Sequence, residues 1–159
     1  MLLFGLRVLA VTSVTLYLVP VGAHLFELPG KIAMPPNNYM IVQGIYRGWS
    51  LFGIVLLAGM LSTLMLAILR RRRQGVCALS LAAFVCLAAT QIIFWVFTYP
   101  MNIASRNWTT MPDQFEAARR QWEYSHAASA VLTFLALLAV TASVAADADA
   151  QSRTGTPAA

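Results

Sequence analysis

Four long apolar stretches dominate this chain and leave few folds open to it. They run over about residues 2–26, 49–69, 76–97 and 127–146, each near the ~20 residues an α-helix needs to cross the hydrocarbon of a bilayer. Backbone N–H and C=O groups inside lipid must be satisfied within their own segment, so each stretch is expected to be a helix. Composition agrees: 59% of the 159 residues are hydrophobic and 11% charged, too few charges to clothe a surface in water. The expectation is an all-α fold, a four-helix transmembrane bundle with antiparallel up-down-up-down order, whose solvent is the lipid bilayer.

A cleaved signal peptide is the other reading of the first stretch. Its apolar part is long for that role, and bulky Leu25 and Phe26 follow a poor cleavage site at Val21-Gly22-Ala23-His24, so it is read as a retained helix. Helices two and three are joined only by Arg70-Arg71-Arg72-Arg73-Gln74-Gly75. The positive-inside rule places this basic turn in the cytoplasm and with it both termini. The net charge of +5 is largely this topology signal. A basic run wedged between apolar spans does not suit nucleic acid, and no nucleic-acid partner is expected. The location that follows is a multi-pass protein of a bacterial inner (plasma) membrane.

The connections on the other side are longer and aromatic. Pro112, followed by Asp113, Gln114 and Glu116, looks like a helix start outside the hydrocarbon, so the fourth span is drawn over 113–146. Residues 1–146 form the transmembrane domain, and 147–159, small and polar, are expected to be a disordered cytoplasmic tail. Most of the tryptophans and tyrosines fall where an interfacial aromatic belt would put them. Cys77 and Cys86, about 13 Å apart along one helix, cannot pair within it.

Both histidines of the chain have a glutamate three residues away: His24 with Glu27 on the first helix, Glu123 with His126 on the fourth. Residues at i and i+3 share a helix face. Because the order and the helix direction are both reversed, each histidine lies deeper and each glutamate nearer the outer surface. If the faces meet, His24, Glu27, Glu123 and His126 form a His/Glu metal site of the kind helical bundles build. Non-haem iron or manganese suits that set, with zinc as an alternative. Two further readings stay open. The histidines alone could clamp a haem b, or each pair could be structural, with Arg47, Arg119 or Arg120 as ion partner. Tyr46, Tyr124 and Tyr99 are candidate proton or electron relays, and Arg120 a candidate holder of an anionic or phenolic group. Arg47, Gln91, Tyr99, Asn102 and Trp122 could line the same pocket. The simplest role of Gln91 is an interhelical hydrogen bond.

The Gly22-Ala23-His24 segment, Tyr46-Arg47-Gly48-Trp49, Tyr99-Pro100-Met101-Asn102 and Arg119-Arg120-Gln121-Trp122-Glu123-Tyr124-Ser125-His126 together resemble the anthrone oxygenase-like family of small four-helix membrane proteins. The resemblance spans nearly the whole chain, and its motifs are short. It implies oxidation of a polycyclic anthrone to an anthraquinone by dioxygen. The functional expectation is thus a membrane oxidoreductase or oxygenase acting on a lipophilic small molecule. A bis-histidine haem protein and a non-catalytic accessory subunit, in a homo-oligomer or larger membrane complex, are the alternatives.

Overall fold

A computed structural model describes residues 1–155 of the chain, with side chains described to residue 148. Four long helical spans carry the fold: α1 (Leu2–Ile32), α3 (Phe52–Leu69), α4 (Gln74–Ile93) and α6 (Phe115–Gly155). Between α1 and α3 lie a short α2 (Pro36–Val42) and two 3₁₀ turns; α4 passes through a π-helical turn, Phe94–Thr98, into α5 (Tyr99–Ala104).

Each helix packs on two neighbours, α1 on α3 and α6, α4 on α3 and α6, so the four form a closed square. The charges fix the directions. Arg7 near the start of α1, Arg70 at the end of α3 and Arg73 just before α4 all reach Asp147, late in α6. His24, far along α1, meets His126, early in α6. Successive spans therefore run antiparallel, with a basic end and an aromatic end.

The seam is made of small and branched side chains: Ala10, Val14, Leu56, Leu66, Ala83, Leu87, Ala136 and Val140. Gly59 lets α3 approach closely, with Val14, Leu87 and Ser13 standing 3.5–3.6 Å from where its Cβ would be. Buried hydroxyls are satisfied locally, as Thr63 is by the Gly59 carbonyl, or across helices, as in the Ser80–Ser143 pair at 2.7 Å. Outward faces carry Leu16, Val19, Ile54, Leu61, Val85, Ile92 and Leu138. Even in the most enclosed span, Phe115–Ala148, only 39% of the most apolar stretch is buried within the chain. All four spans are long and apolar enough to cross a membrane, which makes this a multi-pass integral membrane protein.

Three boundaries differ from the sequence reading. Helix α1 runs past residue 26 to Ile32, through Pro29, which lies in its last turn and so gives up little of the ladder. The third span continues beyond Phe97 to Ala104, because the π-helical turn widens the backbone just before Pro100 and restarts the helix with proline in its first turn. At the C-terminal end α6 runs on to Gly155, and Asp147, assigned to the expected tail, is buried under three arginines. Residues 156–159 of that tail lie outside the described residues.

Candidate functional site

At the aromatic end, His24 of α1 and His126 of α6 touch. Their ring centroids are 4.3 Å apart and the planes tilt by 57°. His126 Nδ1 lies 2.9 Å from the Trp122 carbonyl one turn back. A carbonyl oxygen only accepts, so Nδ1 carries the proton and Nε2 keeps its lone pair, free to act as a base or ligand. Trp122 lies against both histidines, at 4.0 Å from His126 and 5.0 Å from His24. Its indole N–H donates to the Asn102 side-chain oxygen at 2.8 Å, which sets its orientation. Tyr46 also lies against His24, at 4.4 Å.

These rings form one wall of a cavity of about 620 Å³, within the usual range for small-molecule sites. Of the residues expected in a pocket, His24, His126, Tyr46, Arg47 and Gln91 line it, as do Tyr99, Asn102 and Trp122. The π-helical turn builds the facing wall through Phe94 and Thr98, a placement such turns often have near functional sites. Three consecutive residues, Arg106, Asn107 and Trp108, adopt left-handed backbone (φ 48°, 55° and 60°). That conformation costs roughly 1–2 kcal/mol per non-glycine residue. The Trp108 ring packs edge-on between Tyr39 and Trp122, at 5.2 and 5.7 Å, and this contact works against that cost.

The four expected metal ligands are not gathered into one set. The two imidazoles meet, but the carboxylates turn away to other partners. Glu123, fully buried, accepts from Lys31 Nζ at 2.6 Å and from the Tyr39 hydroxyl at 2.8 Å. Glu27 accepts from the Tyr46 hydroxyl. Among the described residues no group of three or more His, Cys, Asp or Glu side chains could hold a metal ion. Iron, manganese or zinc would thus find two imidazoles and no carboxylate, which does not fit the expected site. A bis-histidine haem fits no better. It sets its two ligand nitrogens ~4 Å apart across the iron, at roughly 2 Å per bond, with the ring centroids farther apart and the macrocycle between them. Here the rings are in contact.

Two more expectations are corrected. Tyr124 is 57% exposed on the outer face of α6, away from the cavity. Arg120 is exposed too, and Glu123, a carboxylate it was expected to meet, is taken by Lys31.

The residue that sequence reading missed is Lys31. It is 3% exposed, donates to the Tyr46 hydroxyl at 3.2 Å, and its ammonium sits 4.5 Å from the Tyr46 ring centre and 4.7 Å from that of Trp122. Lys31 is four residues from Glu27 and seven from His24, hence on one helical face with both. That pattern is visible only once α1 is carried past Pro29-Gly30. Tyr39 and Gln43 complete the network, Gln43 donating to the Tyr39 hydroxyl. Burial first, then the neighbouring Glu123 carboxylate, pushes the Tyr39 phenol well above its ordinary value; burial and the hydrogen bond to Glu27 do the same to Tyr46. Both phenols are therefore held protonated.

Compared with protein-family models, curated proteins and solved structures, the chain matches none of them.

Proposed function

We propose that this chain is a membrane oxidoreductase of the oxygenase class that takes a lipophilic, ring-bearing small molecule from the bilayer into the aromatic-end cavity. The observation that carries this reading is the contacting His24–His126 pair on the cavity wall, with the His126 tautomer fixed so that Nε2 is a free base. Two imidazoles side by side in an aromatic enclosure suit acid–base work on a weakly acidic C–H or phenolic O–H group. The resemblance to the anthrone oxygenase-like family supplies the reaction. A ring methylene beside an aromatic system loses two C–H bonds and gains a C=O bond; one atom of dioxygen stays in the new carbonyl and the other leaves as water. His126 takes the first proton from the methylene. The electron-rich carbanion that remains passes its electrons to dioxygen, and His24, in contact with His126, shares the proton load. The flat walls given by Trp122, Tyr46 and Trp49 suit a planar substrate.

In this reading the basic turn faces the cytoplasm of a bacterial plasma membrane, and the cavity opens on the outer side. The test is oxygen consumption by the purified full chain in lipid nanodiscs supplied with an anthrone. Uptake of one dioxygen per quinone formed is expected. His126→Ala and His24→Ala should each lower turnover by about 10²–10⁴-fold while leaving thermal unfolding in place. Wild-type turnover in both variants, or no uptake by the wild type, would sink the proposal. Stoichiometric iron or manganese that leaves with either histidine would transfer the chemistry to a metal.

A further inference from the structure

At the end of the bundle opposite the histidines, arginines gather. Arg7, Arg70 and Arg73 converge on the single Asp147 carboxylate. Arg71 and Arg72 stand beside them, exposed, and their side chains make no hydrogen bond or ion pair to another described residue. Arg71 and Arg72 thus add two exposed guanidiniums to a turn already rich in arginine. That turn walls an open concavity of about 390 Å³. Its lining is of two kinds: the arginines 70 to 73, and the half-exposed Ile68 and Leu69 at the last turn of α3.

We propose that this turn binds the headgroup of an anionic phospholipid. The phosphate rests on Arg71 and Arg72, helped by Arg73, whose side chain is 34% exposed even while it holds Asp147. Guanidiniums pair with phosphate oxygens in bidentate fashion. The glycerol and upper acyl chain lie on Ile68 and Leu69. Depth supports this occupant, because the turn joins the ends of two membrane-spanning helices and so sits at headgroup level. Basic pockets at the ends of such helices recognise anionic headgroups in the adjoining leaflet. A free inorganic anion would use the arginines but has no use for the apolar wall, so the lipid is the better match.

The experiment is native mass spectrometry of the full chain released from detergent, titrated with phosphatidylglycerol or phosphatidylcholine of matched acyl chains. The expected result is tighter retention of phosphatidylglycerol by at least roughly tenfold. Replacing both exposed arginines (Arg71→Gln with Arg72→Gln) should weaken that retention by about thirtyfold, each contributing a factor of ~5. The Asp147 clamp is untouched, so thermal unfolding should stay put. Arg106→Gln with Arg120→Gln removes the same charge at the other end and should leave retention unchanged. Equal retention of the two lipids, no effect of the Arg71/Arg72 pair, or equal loss in the control pair would overturn the proposal. So would displacement of the lipid by millimolar inorganic phosphate, which would mark a site for free anions.

Discussion

Tyr46 shows how one side chain can serve two environments. Its ring lines the cavity against His24, while its hydroxyl lies among Glu27 and Lys31. Tyr39 plays the matching part beside Glu123 and Gln43. Burial disfavours the phenolate of either residue, and ionisation would also put a new negative charge next to a carboxylate, so both are shifted up. The consequence for pH is directional. Above about pH 10 the unfolded chain gives up these protons and the folded chain keeps them. Their contribution to stability is therefore complete below that pH and is lost progressively as pH rises above it. An ultraviolet titration of the folded protein should show these two phenols failing to ionise as pH passes 10, and Tyr46→Phe with Tyr39→Phe should flatten the alkaline fall in thermal stability. Phenolate absorbance from both residues near pH 10 in folded protein would refute this. The histidine–glutamate spacing was legible in the sequence, and the meeting of the two imidazoles stood there only as a condition. The destination of the carboxylates was not, because it turns on Lys31, which a Pro-Gly pair seemed to place outside the helix.

Between elements, the seam depends on side-chain size. The Cβ of an alanine at position 59 would stand in ordinary contact with Val14, Leu87 and Ser13. Gly59→Ala should accordingly be tolerated or stabilising by up to about 0.5–1 kcal/mol, since it relieves the helix of glycine's entropy. Gly59→Leu has nowhere to go and should destabilise by about 1–3 kcal/mol by forcing α1, α3 and α4 apart. Thermal unfolding in one detergent, with the wild type alongside, checks both; a stable leucine variant would show that the helices do not meet here as described. The spans were readable from apolar length alone. Their ends were not, because proline ends a helix only where its neighbours demand the lost hydrogen bond. At Pro29 the helix was near its end anyway, and at Pro100 a π-helical turn absorbed the disruption.

At the scale of the whole molecule, Asp147 ties three helices at the basic end. Its side chain is 2% exposed, and Arg7 of α1, Arg70 after α3 and Arg73 before α4 all converge on it. Asp147→Asn removes the carboxylate charge on which three guanidiniums converge. Removing one partner of a fully buried pair costs about 3–5 kcal/mol. The arginines here are part-exposed, from 14% to 34%, and water screens them, so about 2–3 kcal/mol is the better expectation. The measurement is a lowered unfolding temperature, relieved in part when Arg7→Gln is added. No loss of stability would mean that packing along the seam holds the bundle without the clamp.

The amino-acid sequence by itself determined the solvent and the class of fold, because apolar segments of that length admit one backbone solution in lipid. It also determined the helix face on which each histidine lies, since helical geometry is fixed by local rise and turn. Only the tertiary structure decided which group each charge pairs with. Lys31 with Glu123, Tyr46 with Glu27 and Asp147 with three arginines are pairings between segments far apart in the chain. Each is selected by the cost of burying an unpaired charge, a cost that appears only when the helices close on one another.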